Sequence, residues 1–174
     1  MIFGRVFVSI LAVILLLGCE EKPKNLTTPD REVESALPTR AQPKLPTVKL
    51  WIGGEEMVTE MARTGIQQQT GMMFRTNIPE NEGMIFVLPY PQRAAFWMKN
   101  CPESLSAAYI SADGVIREIR HLEKHDTNSV VAANDNIHFV LETKEGWFQR
   151  HNISTGVVVR TESGSLEKTF LQRN

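Results

Sequence analysis

Cysteine is scarce in this 174-residue chain, which contains only Cys19 and Cys101. Two cysteines cannot build the disulfide framework that staples many small secreted domains. An excess of one charge is lacking too. Nineteen Lys and Arg stand against 20 Asp and Glu, for a formal net charge of -1. That balance argues against nucleic acid as a partner, which needs a basic patch or stripe. It also argues against a polybasic anchor on anionic lipid. A long apolar run is missing as well. Val6–Leu17 is uncharged, but about a dozen residues fall short of the roughly 20 that a helix needs to cross a ~30 Å hydrocarbon core.

What stands at the N-terminus has the form of an export signal. Arg5 gives a positive start, the apolar run follows, and Leu16-Leu17-Gly18-Cys19 leads into the polar Glu20-Glu21-Lys22. The length suits a signal-peptide core. Leu-Leu-Gly-Cys resembles the bacterial lipobox. The resemblance implies a leader over residues 1–18, cleavage after Gly18 and diacylglycerol on the Cys19 thiol. It also implies acylation of the new N-terminus. Two or three acyl chains hold a protein on a membrane stably, where one holds it marginally. Residue 20 is Glu rather than the Asp that commonly signals inner-membrane retention. The expected location is therefore the periplasmic face of the outer membrane in a Gram-negative host. Lipidation leaves Cys101 without an intramolecular partner. It is either a buried apolar filler or an exposed thiol able to pair with another molecule.

Residues 19–46 read as a tether. The segment holds five of the chain's 9 Pro, many charges and no aromatic. Such a composition cannot bury enough apolar surface to offset its ordering entropy. The folded domain is expected over residues 47–161, followed by a loose tail over 162–174. Val48–Ile52 alternates as a strand, Gly53-Gly54 turns, and Met57–Ala62 returns. Thr64-Gly65-Ile66-Gln67 reads as a capping box opening a short helix that Gly71 ends. Gly83–Leu88 is an apolar strand that Pro89 is expected to stop, and Arg93–Lys99 reads as another. Ser104–Ile110 and Val115–His121 flank Ala112-Asp113-Gly114, where Asp-Gly suggests a type I′ hairpin. Glu123–Asn136 reads as polar loop, Ile137–Glu142 as strand, Trp147–His151 as a helical turn and Val157–Thr161 as a last strand. The expected fold is mainly β, a sandwich- or barrel-like sheet with one or two short helices.

Certain blocks carry a resemblance: Thr70-Gly71-Met72-Met73-Phe74-Arg75, Glu82-Gly83-Met84-Ile85-Phe86, Phe96-Trp97-Met98-Lys99-Asn100, Asp113-Gly114 and Leu141-Glu142-Thr143-Lys144-Glu145-Gly146-Trp147-Phe148. In this order they resemble the domain of unknown function 192 family. The resemblance covers about Val58 to Thr161 and implies a compact, mainly β fold. It implies no reaction, substrate or cofactor. The chain departs from the family pattern at Cys101, where the family usually has Thr, at Ser106 in place of an aspartate, and at Gly156-Val157 in place of Gly-Asp.

The charged residues within these blocks, Arg75, Lys99 and Glu142, together with Trp97 and Asn100, are the candidate ligand-binding set. On a strand Trp97 and Lys99 would share one face, an aromatic-plus-cation surface suited to a sugar, a peptide or a small anion. Arg75 would add a bidentate fork. Against this stand packing of Trp97 under a loop and structural ion pairs for the charges, including one from Lys99 to an acid such as Glu142. Glu142 would serve as general acid or base only in a partly buried pocket. His121, His125 and Asp126 lie close in sequence but make no zinc set, which needs at least three ligands. Met72, Met73, Met84 and Met98 read as core filler before they read as a Cu(I) site. No nucleophile-elbow serine is present, so no catalytic residue is assigned and no cofactor is expected. The functional expectation is a non-enzymatic ligand- or partner-binding lipoprotein of the cell envelope. The alternatives are an envelope-polymer hydrolase using Glu142, or a purely structural lipoprotein.

Overall fold

Apolar alternation and paired glycines settle the first hairpin of the computed structural model, which describes residues 37–172. The expected leader, Cys19 and most of the tether lie outside the described residues. In chain order the elements are β1 (Thr47–Ile52), β2 (Glu55–Ala62), α1 (Gly65–Thr70), β3 (Glu82–Gln92), β4 (Ala95–Phe96), β5 (Leu105–Ser111), β6 (Ile116–Leu122), β7 (Val130–Val131), β8 (Ile137–Lys144), α2 (Trp147–Arg150), β9 (Val159–Thr161), β10 (Gly164–Ser165) and α3 (Leu166–Phe170). Leu50 and Ile52 of β1 are fully buried, and Leu50 faces Met57 across the β1–β2 ladder. Gly53 supplies the positive φ, 62°, that the turn between them needs.

Eight strands form one sheet in the order β10-β9-β1-β2-β3-β8-β5-β6, and β4 pairs with β7 in a separate ribbon. β2 and β3 run parallel, whereas the other strand pairs of the large sheet are antiparallel. A parallel pair needs a crossover connection, and here α1 and the turn after it provide one. An isolated bridge from Val115 to Val158 draws the two ends of the sheet toward each other. The sheet curls but does not close into a barrel. The mainly β expectation holds, and its curled sheet matches the sandwich- or barrel-like form.

Both faces of the central strands are covered. Ile85, Val87, Ala108, Ile110, Phe139 and Leu141 pack with Trp147, Phe148 and Leu166 on one side. Met84, Phe86, Ala107, Tyr109 and Val140 pack with Met72, Met73, Met98 and Cys101 on the other. Double coverage explains why β3, β5 and β8 read as nearly continuous apolar runs rather than alternating ones.

Several expectations fail for identifiable reasons. Pro89 does not end β3, which continues to Gln92. The register with β8 shifts between Val87 and Gln92, and an irregular stretch of this kind tolerates prolines that donate no ladder bond. The expected Arg93–Lys99 strand shrinks to Ala95–Phe96. Its partner β7 lies inside what read as loop. At Asp113-Gly114 only the glycine has positive φ, 85°, so the turn is not type I′. Instead the Ser111 hydroxyl bonds the Asp113 carboxylate, Asp113 accepts from the Val115 N–H, and the ladder shifts between Tyr109 and Ile110. The tail is not loose within the described residues. Ser165 caps α3, and Leu166 and Phe170 are buried against Phe139 and its neighbours. Nor does the domain start at Thr47. The Gln42 amide donates to the Gln67 and Gly71 carbonyls, and the Leu45 N–H donates to Glu60.

The Thr64 capping box forms as read: its hydroxyl accepts from the Gln67 N–H, and the Gln67 side chain accepts from the Thr64 N–H. Thr64→Ala is expected to cost about 1 kcal/mol, as loss of a cap usually does. Urea unfolding should show this as a lower midpoint with an unchanged slope.

A carboxyl slot beneath helix α1

Local backbone chemistry builds a narrow slot over the outer face of β3, β8 and β5. Gly71 ends α1 at φ 45°, and a Cβ there would meet the Phe86 ring at 3.3 Å. Only glycine lets the chain turn so close to β3. The following turn carries Met72 and Met73. The Phe74 N–H donates to the Asn100 carbonyl at 2.7 Å, tying this turn to the one bearing Cys101. Asn100 holds positive φ, 59°, a conformation asparagine tolerates better than most residues. From below, β8 brings Glu142 into register between Met84 and Ala107. Gln68, Gln69, Thr70, Met72, Met73 and Cys101 line the slot with Glu142, and Phe86, Phe96 and Trp97 complete its walls. Its volume is about 30 Å³, room for roughly one water molecule.

Glu142 is only 3% exposed. Burial alone pushes its carboxyl up to about 8, because an apolar surround disfavours the charged form. At neutral pH the group is therefore mostly a neutral acid, able to donate a hydrogen bond. Burial, then the Glu142 charge, pushes the Cys101 thiol up to about 12. Cys101 is thus a buried free thiol, the filler alternative. Tyr109 lies under the same face, but its hydroxyl donates to the Val130 carbonyl at 3.0 Å.

The candidate set does not converge as a whole. Arg75 forks onto Glu60 at 2.5 and 2.9 Å, with side-chain exposures of 16% and 8%. Burial pushes the Glu60 carboxyl up, but the Arg75 bonds, the Leu45 N–H and the charges of Arg75 and Lys44 more than offset this and hold it below its ordinary value. The Arg75 Nε is buried without a hydrogen-bond partner. This pair belongs to a neighbouring cavity of about 220 Å³, which shares only Met72 with the slot. Lys99 does not pair with Glu142; its Nζ lies 5.4 Å from the Trp97 ring centroid. The Asn100 amide contacts the Met73 sulfur at 4.0 Å. Trp97 and Glu142 therefore share the slot, Lys99 and Asn100 border it, and Arg75 serves a structural ion pair.

His121 lies 3.1 Å from Glu123 and 3.4 Å from Glu145. Among the described residues no cluster of three or more His, Cys, Asp and Glu is placed to hold a metal. A wider depression of about 740 Å³ is an open surface around Trp51, Arg160 and Glu162, where the Trp51 indole is already bonded to Glu56. Sequence reasoning missed Glu60 and the cover of Gln68 and Gln69. The capping box announced the helix, but no local signal showed that it roofs Glu142. No helix among the described residues is long and apolar enough to cross a membrane.

Comparison with known proteins yields one family and several structural neighbours, of which two are described. No curated protein matches the chain. A crystal structure of a protein of unknown function from Novosphingobium aromaticivorans DSM 12444 is similar at 31% identity and TM-score 0.63, over 69% of this chain and 90% of that one. A crystal structure of a "putative transcription regulator" from Sinorhizobium meliloti 1021 shares the fold at 22% identity and TM-score 0.66, over 70% of this chain and 98% of that one. The family model described as uncharacterised ACR matches residues 48–161, and with that span covering most of the domain the chain belongs to the DUF192 family.

Proposed function

We propose that the protein is a lipid-anchored envelope protein whose domain binds a small ligand in the Glu142 slot, without catalysis. The observation that carries the reading is Glu142 itself. A carboxyl 3% exposed among Phe86, Phe96, Trp97 and Met72 lowers stability relative to an apolar residue of similar size. Such a group, at the base of an apolar-walled opening, is a candidate binding-site residue. A neutral acid donates to an acceptor, and Trp97 offers a face beside it. An anion is the less favoured ligand, because no Lys or Arg lines the slot and Lys99 only borders it. The hydrolase reading is weaker. A raised carboxyl suits a general acid, but the slot holds no second acid or base, and the Cys101 thiol is held far from its reactive thiolate form.

Two outcomes check the reading. The full chain recovered gently from its own envelope should carry a small bound species in native mass spectrometry, and Trp97→Ala should lose about tenfold in affinity for it. Bare protein mass in both would contradict binding. Separately, Cys19→Ala should abolish incorporation of radiolabelled palmitate. Labelling that persists would remove the membrane anchor from the account.

A further inference from the structure

We infer that the slot is a binding site for a soft monovalent cation, Cu(I), held by the sulfurs of Met72, Met73 and Cys101. The inference rests on the slot being a ligand site, as proposed above, and names the ligand's chemical class.

Size comes first. A space of about 30 Å³ admits a single ion or the tip of a larger molecule, not a sugar ring or a peptide side chain of any bulk. Chemistry comes second. Three of the eleven residues lining that space carry sulfur. They come from two separate turns, and the Phe74–Asn100 backbone bond at 2.7 Å pins those turns together. Thioether and thiolate ligands select Cu(I) over the harder divalent metals, which prefer imidazole, carboxylate or water. A sulfur-rich site with one carboxyl does not suit zinc, which takes four nitrogen, thiolate or carboxylate ligands.

Location separates these methionines from the others. All four are buried in one apolar cluster, Met72 and Met73 at 5% and 2% exposed and Met84 and Met98 at 0% and 1%, but only Met72 and Met73 line the slot. Met72 and Met73 sit in the turn after α1, where Gly71 allows close approach to Phe86. The Asn100 amide already contacts the Met73 sulfur.

Charge comes third. When Cu(I) binds, a Cu–S bond forms at Cys101 and the thiol S–H bond breaks, its proton leaving to bulk water. One positive ion and one thiolate sum to zero. A charge sum of zero is the arrangement that costs least in an apolar surround. Copper enters and remains as Cu(I), so no electron is transferred. The Trp97 ring at the wall adds a face that favours a cation.

The test uses the full chain in detergent with ¹³C-methyl-labelled methionine, titrated anaerobically with Cu(I) supplied as its acetonitrile complex. The expected result is one equivalent bound, with the Met72 and Met73 methyl signals shifting and those of Met84 and Met98 staying in place. Cys101→Ser should weaken the site at least tenfold against a chromophoric Cu(I) chelator while the methyl spectrum remains that of a folded protein. Uniform small shifts of all methionines, or an affinity unchanged by Cys101→Ser, would overturn the assignment. Failure here leaves the slot's role as a ligand site to the envelope-recovery experiment, whose bound species would then be an uncharged organic molecule rather than a metal.

Discussion

Replacing Glu142 by Gln should make the protein more stable than its parent at pH 9, by about 3 kcal/mol. The sign follows from the direction of the shift. The folded carboxyl sits at about 8 against an ordinary value of 4.5, so the folded state holds this proton more tightly than the unfolded state does. Glu142 therefore contributes most favourably below about pH 4.5. Its contribution is lost progressively as pH rises through the folded value, levelling off above 8. Each pKa unit corresponds to about 1.4 kcal/mol, and relaxation and water entry reduce the full shift to a few kcal/mol. Gln keeps the shape and a hydrogen-bond donor and removes the charge. The two proteins should match near pH 5 and diverge above it, with a gap in melting temperature of roughly 10 °C at pH 9. Calorimetry across pH reads this directly. Parallel curves from pH 5 to 9 would mean that Glu142 is solvated and that the slot is not dry.

Arg75→Ala should give the largest loss of stability in the neighbouring cavity, about 3–5 kcal/mol at neutral pH. The substitution leaves Glu60, 6% exposed, as a buried charge without its fork. The Glu60 carboxyl is held below its ordinary value, so the pair stabilises the fold above about pH 4.5 and the benefit is lost as pH falls. The cost of Arg75→Ala should accordingly shrink toward pH 4, where Glu60 can protonate. Glu60→Leu combined with Arg75→Met should recover most of the loss, since a buried pair replaced by apolar side chains of similar volume is often neutral. A double-mutant cycle from urea unfolding checks this. A single-mutant cost under about 1 kcal/mol would make the pair an ordinary surface ion pair. The two carboxyls thus set opposite limbs of the stability profile, Glu60 the acid one and Glu142 the alkaline one.

How much of this could be read from the sequence depended on how local the cause was. The Gly53-Gly54 turn, the Thr64 capping box and the Trp147 helical turn are short-range features, and all three formed. The ends of β3 and β4 were misread because their cause is tertiary. A register shift opposite β8 accommodates Pro89 and Pro91, and pairing with Val130–Val131 decides where the Phe96 strand stops. The tail looked loose because Leu166 and Phe170 stand alone in a polar stretch, yet both bury against β8 and its neighbours. The candidate site divided along the same line. Trp97 and Glu142 lie 45 positions apart in the chain and meet because β8 sits beside β3 and β5. Arg75 was placed with them by motif alone. Its partner Glu60 lies on β2, within an alternating run where one more acid carries no signal. Lys99 looked like a partner for Glu142 when Arg93–Lys99 was taken for one strand. Once that strand shortens, the Lys99 amine settles over Trp97 instead.

Of all these consequences, the protonation of Glu142 is the one on which the slot depends. ¹³C NMR of the glutamate side-chain carboxyls, followed from pH 4 to 10 with the Trp97 indole N–H in the same samples, measures it without altering a residue. The account requires the Glu142 signal to titrate with a midpoint of about 8 and the Trp97 signal to move with it. A midpoint near 4.5, or a Trp97 signal indifferent to it, would show a solvated surface carboxylate and no slot.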